Sequence, residues 1–201
     1  MKTLVHHEIT ALADAMNRLA EESAGKVADI AAACINSIRQ GGKVMLCGNG
    51  GSAADAQHLA AELIGRYKME RAAMPAIALT TDTSIITALG NDYGYDTIFA
   101  RQVQGLGKAG DVLIGISTSG NSRNVLLAMA EARKLGVTTV AFTGAGGGRM
   151  AEVADLSLQV PSTVTNHIQE MHITCGHLVC ELVEKTLAGE KPLTGGEAGA
   201  S

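Results

Sequence analysis

The chain has 201 residues, 46% hydrophobic and 18% charged, with a formal net charge of -4. That is long enough to bury a substantial core and too apolar for general disorder. Three Tyr, two Phe and no Trp stand against 24 Gly, so the core is built from Ala, Val, Ile and Leu, which suits close packing of helices on a sheet. The 16 basic residues form no cluster and are outnumbered by 20 acidic ones, so nucleic acid is not expected as a ligand. No apolar run approaches the roughly 20 residues that span a bilayer, and the first 25 residues carry His, Glu and Asp where a secretion signal needs an apolar stretch. A cytoplasmic protein is expected. Cys34, Cys47, Cys175 and Cys180 lack CxxC spacing and sit in apolar segments, so they read as reduced core residues rather than disulfides or thiolate ligands.

Two helical patterns come first: Ile9, Leu12, Met16 and Leu19, then Val27, Ile30, Cys34 and Ile38, with Gly41 and Gly42 closing the region. Short apolar runs then predict strands at 43–47, 76–80, 111–116, 137–142 and 156–160. They are too continuously apolar to be one-sided, which implies a parallel sheet covered on both faces. Helices are predicted between them at 53–66, 84–89, 97–107 and 122–135. A long closing helix at 166–187 carries the stripe Ile168, Met171, Cys175, Leu178 and Leu182. The order is that of a doubly wound α/β fold, a five-stranded parallel sheet with two additional N-terminal helices and a long C-terminal helix. One domain is expected over 1–188, and 189–201, rich in Gly and charge without periodicity, reads as a flexible tail.

In such sheets ligands bind beyond the carboxyl ends of strands. After the first strand lies Gly48-Asn49-Gly50-Gly51-Ser52, a glycine turn into a helix. It is either an anion site or simply a tight turn, because it has neither a P-loop Lys nor GxGxxG spacing. After the third strand lies Ser117-Thr118-Ser119-Gly120-Asn121-Ser122. Helix capping needs one or two such residues, and six small polar residues exceed it, which points to a cradle for a phosphate monoester. His58 and Glu62 are four apart on one helical face, as metal ligands, an acid-base pair or a surface ion pair. Gln169, His172 and His177 are polar positions on the otherwise apolar closing helix.

The segments CGNGGSAADAQHLAAELIGRY, GNDYGYD, GDVLIGISTSGNSRNV and IQEMHITCGH together resemble the sugar isomerase (SIS) domain and, within it, the bacterial phosphoheptose isomerases. The likeness runs from about residue 3 to 187. STSGNS marks only the superfamily; HLAAEL and IQEMHITCGH are more specific. The resemblance implies a flavodoxin-like fold and an aldose-ketose isomerase converting sedoheptulose 7-phosphate to D-glycero-D-manno-heptose 7-phosphate, the first step toward ADP-heptose or GDP-heptose precursors of lipopolysaccharide. It makes Asn49, Gly50 and Gly51 substrate contacts, Ser117, Thr118, Ser119 and Ser122 the phosphate cradle, and Asn91 and Asp92 contacts to sugar hydroxyls. Glu62 and Gln169 also touch substrate. His58, Glu62, Gln169 and His177 match ligands of one Zn2+ per subunit, and Glu62 and His177 the acid-base pair. It also implies a homo-oligomer, a tetramer, with sites between subunits.

Isomerisation needs a base for a carbon-bound proton and an acid serving the oxygens, roles that Glu62 and His177 have the chemistry to fill. The alternative is a non-catalytic SIS-domain regulator of the replication-initiator-associating type, a relative that lacks the Glu and the second His. Gln169 and His177 are eight residues apart, about 12 Å along a helix, so either the helix bends or a neighbouring subunit supplies one ligand. The two N-terminal helices exceed what a five-stranded sheet needs for cover, so their stripes are expected to associate between subunits.

Overall fold

The computed structural model describes residues 1–188; the predicted tail at 189–201 lies outside them. Five strands, β1 (Val44–Gly48), β2 (Ala76–Ala78), β3 (Val112–Ile116), β4 (Thr138–Thr143) and β5 (Leu156–Gln159), form one parallel sheet in the order β2-β1-β3-β4-β5. The register pairs Val44 with Val112 and Cys47 with Gly115.

Alternation along each strand feeds two cores. Val44 and Leu46 of β1, Ile114 of β3 and Phe142 of β4 join the cluster with α1 (Lys2–Arg39), α2 (Gly51–Ile64) and α7 (Thr165–Leu187). Met45, Cys47, Leu113 and Ala141 face the other way, toward α4 (Ile98–Leu106), α5 (Arg123–Lys134) and α6 (Gly148–Val153). Between β2 and α4 run α3 (Thr83–Tyr93) and a short 3-10 turn, Tyr95–Thr97. All four cysteines are buried free thiols, and burial pushes each up to about 12.

Three elements differ from the sequence reading. The two expected N-terminal helices are one continuous helix of 38 residues. The stretch between their stripes contains Gly25, where a side chain would meet open space. An exposed glycine costs a helix only about 1 kcal/mol relative to Ala, less than the flanking packing returns. Helix α6 is additional to the predicted elements; it opens in a glycine run, with Gly147 and Gly148 at φ of 69° and 57°, which hides a helix start from the sequence pattern. The stripe on α7 divides: Ile168, Met171 and Cys175 are buried, whereas Leu178 and Leu182 remain 46% and 39% exposed.

Candidate active site

The strand order reverses between β1 and β3, so the crevice for a ligand opens between the loops that follow these two strands. Asn49 and Asn124 tie the loops together: each amide donates to the other's oxygen, at 2.9 and 2.8 Å, and the Tyr95 hydroxyl donates to Asn49 Oδ1 at 3.1 Å. Neither Asn124 nor Tyr95 was marked by the sequence. Asn124 reads as one more polar residue at a helix start, and only the pairing of β1 with β3 brings it to Asn49.

The 117–122 loop is folded as a cup. Ser117 Oγ lies 2.8 Å from Ser122 Oγ and 3.4 Å from Ser119 Oγ, and the Asn121 N–H donates to Ser119 Oγ at 3.2 Å. Ser122 stands at the N-cap of α5 but makes no side-chain cap bond. Its hydroxyl faces the other serines, which is the arrangement expected of ligand donors and not of a cap. Gly120 is required here: its φ is +66°, and a Cβ would lie 2.0 Å from the Gly147 carbonyl oxygen. The loop is also held from beneath, since the Gly144 N–H donates to the Thr118 carbonyl at 3.1 Å.

The second half of the site lies on the α2 and α7 side of the sheet. His58 Nε2 is 2.8 Å from His177 Nε2 and 3.2 Å from Glu62 Oε1, and one ligand atom from each of the three lies within 4.8 Å of the others. Helix periodicity places His58 and Glu62 on one face of α2. Close approach of α7 supplies His177, because Gly176 beside it has no side chain; a Cβ there would stand 2.5 Å from Leu59 Cδ1. Burial, together with the neighbouring His58, lowers the pKa of His177, while Glu62 pulls the other way. The Tyr67 ring stacks on the His177 ring with centroids 5.4 Å apart and planes at 24°.

These positions therefore form two groups, Asn49 with the serine cup and His58 with Glu62 and His177, joined by α2 with His58 two turns from its start, about 10 Å. Gln169 lies against the start of α2: its Nε2 is 2.5 Å from where a Cβ of Gly51 would stand. Glu62 and His177 come together within one chain. Asn91 and Asp92 are exposed at the end of α3 and hydrogen-bond to each other, at 2.8 Å, rather than to either group. Gly50 starts α2 at φ +55°. His172 is a core residue packed on Phe142, pushed down to about 4 by burial, and so neutral.

Residues 9–144 match the SIS domain family. The chain is 58% identical over 189 residues to the phosphoheptose isomerase of Akkermansia muciniphila, covering 94% of this chain and all of the relative. The chain belongs to the phosphoheptose isomerase family of SIS-domain proteins. Its fold agrees with two solved phosphoheptose isomerases. That of Neisseria gonorrhoeae has a TM-score of 0.87 at 41% identity, covering 92% of this chain and 98% of that one. That of Francisella tularensis has a TM-score of 0.89 at 38% identity, covering 92% and 100%. Membership of this family makes the chain an isomerase.

Proposed function

We propose that this phosphoheptose isomerase family member interconverts sedoheptulose 7-phosphate and D-glycero-D-manno-heptose 7-phosphate through an enediol, supplying the heptose that enters ADP-heptose or GDP-heptose precursors of lipopolysaccharide. The observation that carries the reading is the placement of Glu62 and His177 beside each other in one chain, with Glu62 about 16 Å along α2 from its start at Gly51. A linear sugar phosphate has its phosphate and its reacting carbons at opposite ends, and the two groups of residues are separated in the same sense.

In this reading Ser117, Thr118, Ser119 and Ser122 hold the phosphate, and Asn49, Gly50, Gly51 and Gln169 line the path of the chain. In the same proposal Asn91 and Asp92 contact the sugar hydroxyls. The Glu62 carboxylate takes the proton from C1 of the ketose and returns it to C2, while the His177 imidazole moves a proton between the oxygens on C1 and C2. Burial and the neighbouring His58 lower the pKa of that imidazole, and a neutral imidazole gives a proton from one ring nitrogen and accepts at the other.

Two imidazole nitrogens and a carboxylate oxygen converging within 4.8 Å are a donor set suited to zinc. We assign His58, Glu62, Gln169 and His177 as the residues that would hold one Zn2+ per subunit; a carboxylate bound to zinc is a weaker base, so Glu62 would serve as ligand and as base in alternation. When bound, the ion would polarise the substrate carbonyl. The same proposal makes the protein a cytoplasmic homotetramer; among the described residues no helix is long and apolar enough to cross a membrane.

The test is Glu62→Gln, which keeps the shape and removes the base. Turnover should fall by about 10²–10⁴-fold while sedoheptulose 7-phosphate still binds. Activity within threefold of the unmodified protein would remove Glu62 from the reaction. A non-catalytic regulator has no use for this juxtaposition, so the regulator alternative is not favoured.

A further inference from the structure

Arg71 and Glu184 are nearly absent from the surface, with side chains 3% and 1% exposed, and they meet with Arg71 Nε 3.1 Å from Glu184 Oε1. An ion pair buried this deeply is costly unless its remaining donors and acceptors are used. Here they are used on the elements that carry the acid-base pair. Arg71 Nη2 donates to the Glu62 carbonyl at 2.8 Å, and Nη1 donates to the carbonyls of Leu63 at 2.8 Å and Ala72 at 3.0 Å. Two of the last carbonyls of α2, those of Glu62 and Leu63, are therefore bonded by one guanidinium. Glu184, on α7, accepts three consecutive backbone N–H groups: Tyr67 at 2.9 Å, Lys68 at 2.7 Å and Met69 at 2.9 Å.

The segment leaving α2 is thus pinned at both ends, to the helix of Glu62 and to the helix of His177. What the pinning places is Tyr67, whose ring lies stacked on His177. Lys68 covers the Tyr67 ring, with Nζ 4.9 Å from its centroid, and is itself tied to Glu181 of α7 at 2.7 Å. His58 meets the same imidazole edge-on, with centroids 5.0 Å apart and planes at 71°. The imidazole is bounded on one face by an aromatic ring and at its Nε2 by His58, which leaves it little rotational freedom.

We propose that Arg71, Glu184 and Tyr67 are positioning residues: the buried pair clamps the segment after α2 so that the Tyr67 ring fixes the plane of the His177 imidazole relative to Glu62. The kinetic part of this inference rests on the isomerase reading; the structural part does not. The ring does the positioning, so the Tyr67 hydroxyl is dispensable. Small displacements of a catalytic group are expensive, on the order of a hundredfold for about 1 Å, and a clamp acting on orientation lowers kcat and leaves binding of the distant phosphate unchanged.

The experiment compares Tyr67→Ala, Tyr67→Phe, Glu184→Gln and the double variant Glu184→Gln/Tyr67→Ala. Kinetics with sedoheptulose 7-phosphate are measured alongside the NMR shifts of the His177 ring protons, assigned by their loss in His177→Ala. Tyr67→Ala should lower kcat on the order of tenfold or more, with KM within about twofold, and should move the His177 ring protons as the ring current of Tyr67 is lost. Tyr67→Phe should restore both. Glu184→Gln should reproduce the loss, and the double variant should be no worse than the poorer single one, because both act through one contact. If Glu184→Gln fails to fold, the two Tyr67 variants decide alone. Unchanged kcat and unchanged ring shifts in Tyr67→Ala, or failure of Phe to restore them, would overturn the proposal. If the unmodified protein does not turn over the sugar, the isomerase reading fails, and the ring shifts still decide whether Tyr67 holds His177.

Discussion

At the scale of single residues, the serine cup and the trio on α2 and α7 should separate kinetically. Ser119→Ala with Ser122→Ala removes hydroxyls that face the proposed phosphate, far from the reacting carbons, so KM should rise while kcat changes little. Steady-state kinetics check this; unchanged KM with lowered kcat would move both serines to the reacting end. The metal gives a second prediction. Coordination needs neutral imidazoles, so affinity should fall as pH drops through the histidine range, near 6.5 for an unperturbed group, and should be lost in either His58→Ala or His177→Ala. Metal titration followed by elemental analysis checks it, and full activity in metal-free protein would remove the ion from the account. The residues legible in the sequence were those with dense chemical patterns: six small polar residues in a row at 117–122, and a His and Glu at helical spacing. Tyr67, Arg71, Glu184 and Asn124 were not legible, because each acts through a partner at least 75 positions away or across a turn, and no local periodicity records such a partner.

At the scale of elements, the strands and every crossover helix except α6 followed from apolar runs and glycine turns to within a few residues, since parallel strands buried on both faces leave an unambiguous pattern. The first helix misled because two stripes separated by AEESAGK look like two elements, while the energetic cost of Gly25 is too small to end one. The closeness of α2 and α7 depends on Gly176 against Leu59 and on the buried pair of Arg71 and Glu184. This yields a stability prediction. Burial raises the Glu184 pKa, but the N–H groups of Lys68, Tyr67 and Met69 and the Arg71 guanidinium outweigh it and hold the carboxyl below its ordinary value. A carboxylate with a depressed folded pKa contributes stability above its unfolded value, near 4.3, which is lost as pH falls through the folded value. The melting temperature should therefore fall more steeply below about pH 4.3 in the unmodified protein than in Glu184→Gln. The variant should itself be less stable at neutral pH, by about 3–5 kcal/mol, for leaving Arg71 buried without its partner. Parallel acid melting curves would contradict the assignment.

At the scale of the whole molecule, apolar surface remains that the sheet does not cover. Leu4, Val5 and Ile9 at the start of α1 are 57–64% exposed, and none of α3 is buried. Farther along α1, Met16 and Ala20 line an apolar groove with Leu178 and Leu182 of α7, the part of the predicted stripe left uncovered. These faces support the proposed tetramer, and sedimentation should show no monomer at micromolar concentration. Because Glu62 and His177 belong to one chain, mixing Glu62→Gln with His177→Ala subunits should restore no activity; recovery would mean that the pair is assembled between chains. The proposed site moves a carbonyl between C2 and C1 of a seven-carbon sugar phosphate. The most direct test is to incubate the purified protein with sedoheptulose 7-phosphate and follow the C1 signals by NMR. The anomeric signals of an aldoheptose 7-phosphate should grow, with none in Glu62→Gln over the same time; an unchanged ketose spectrum with metal-loaded, oligomeric protein would contradict an isomerase.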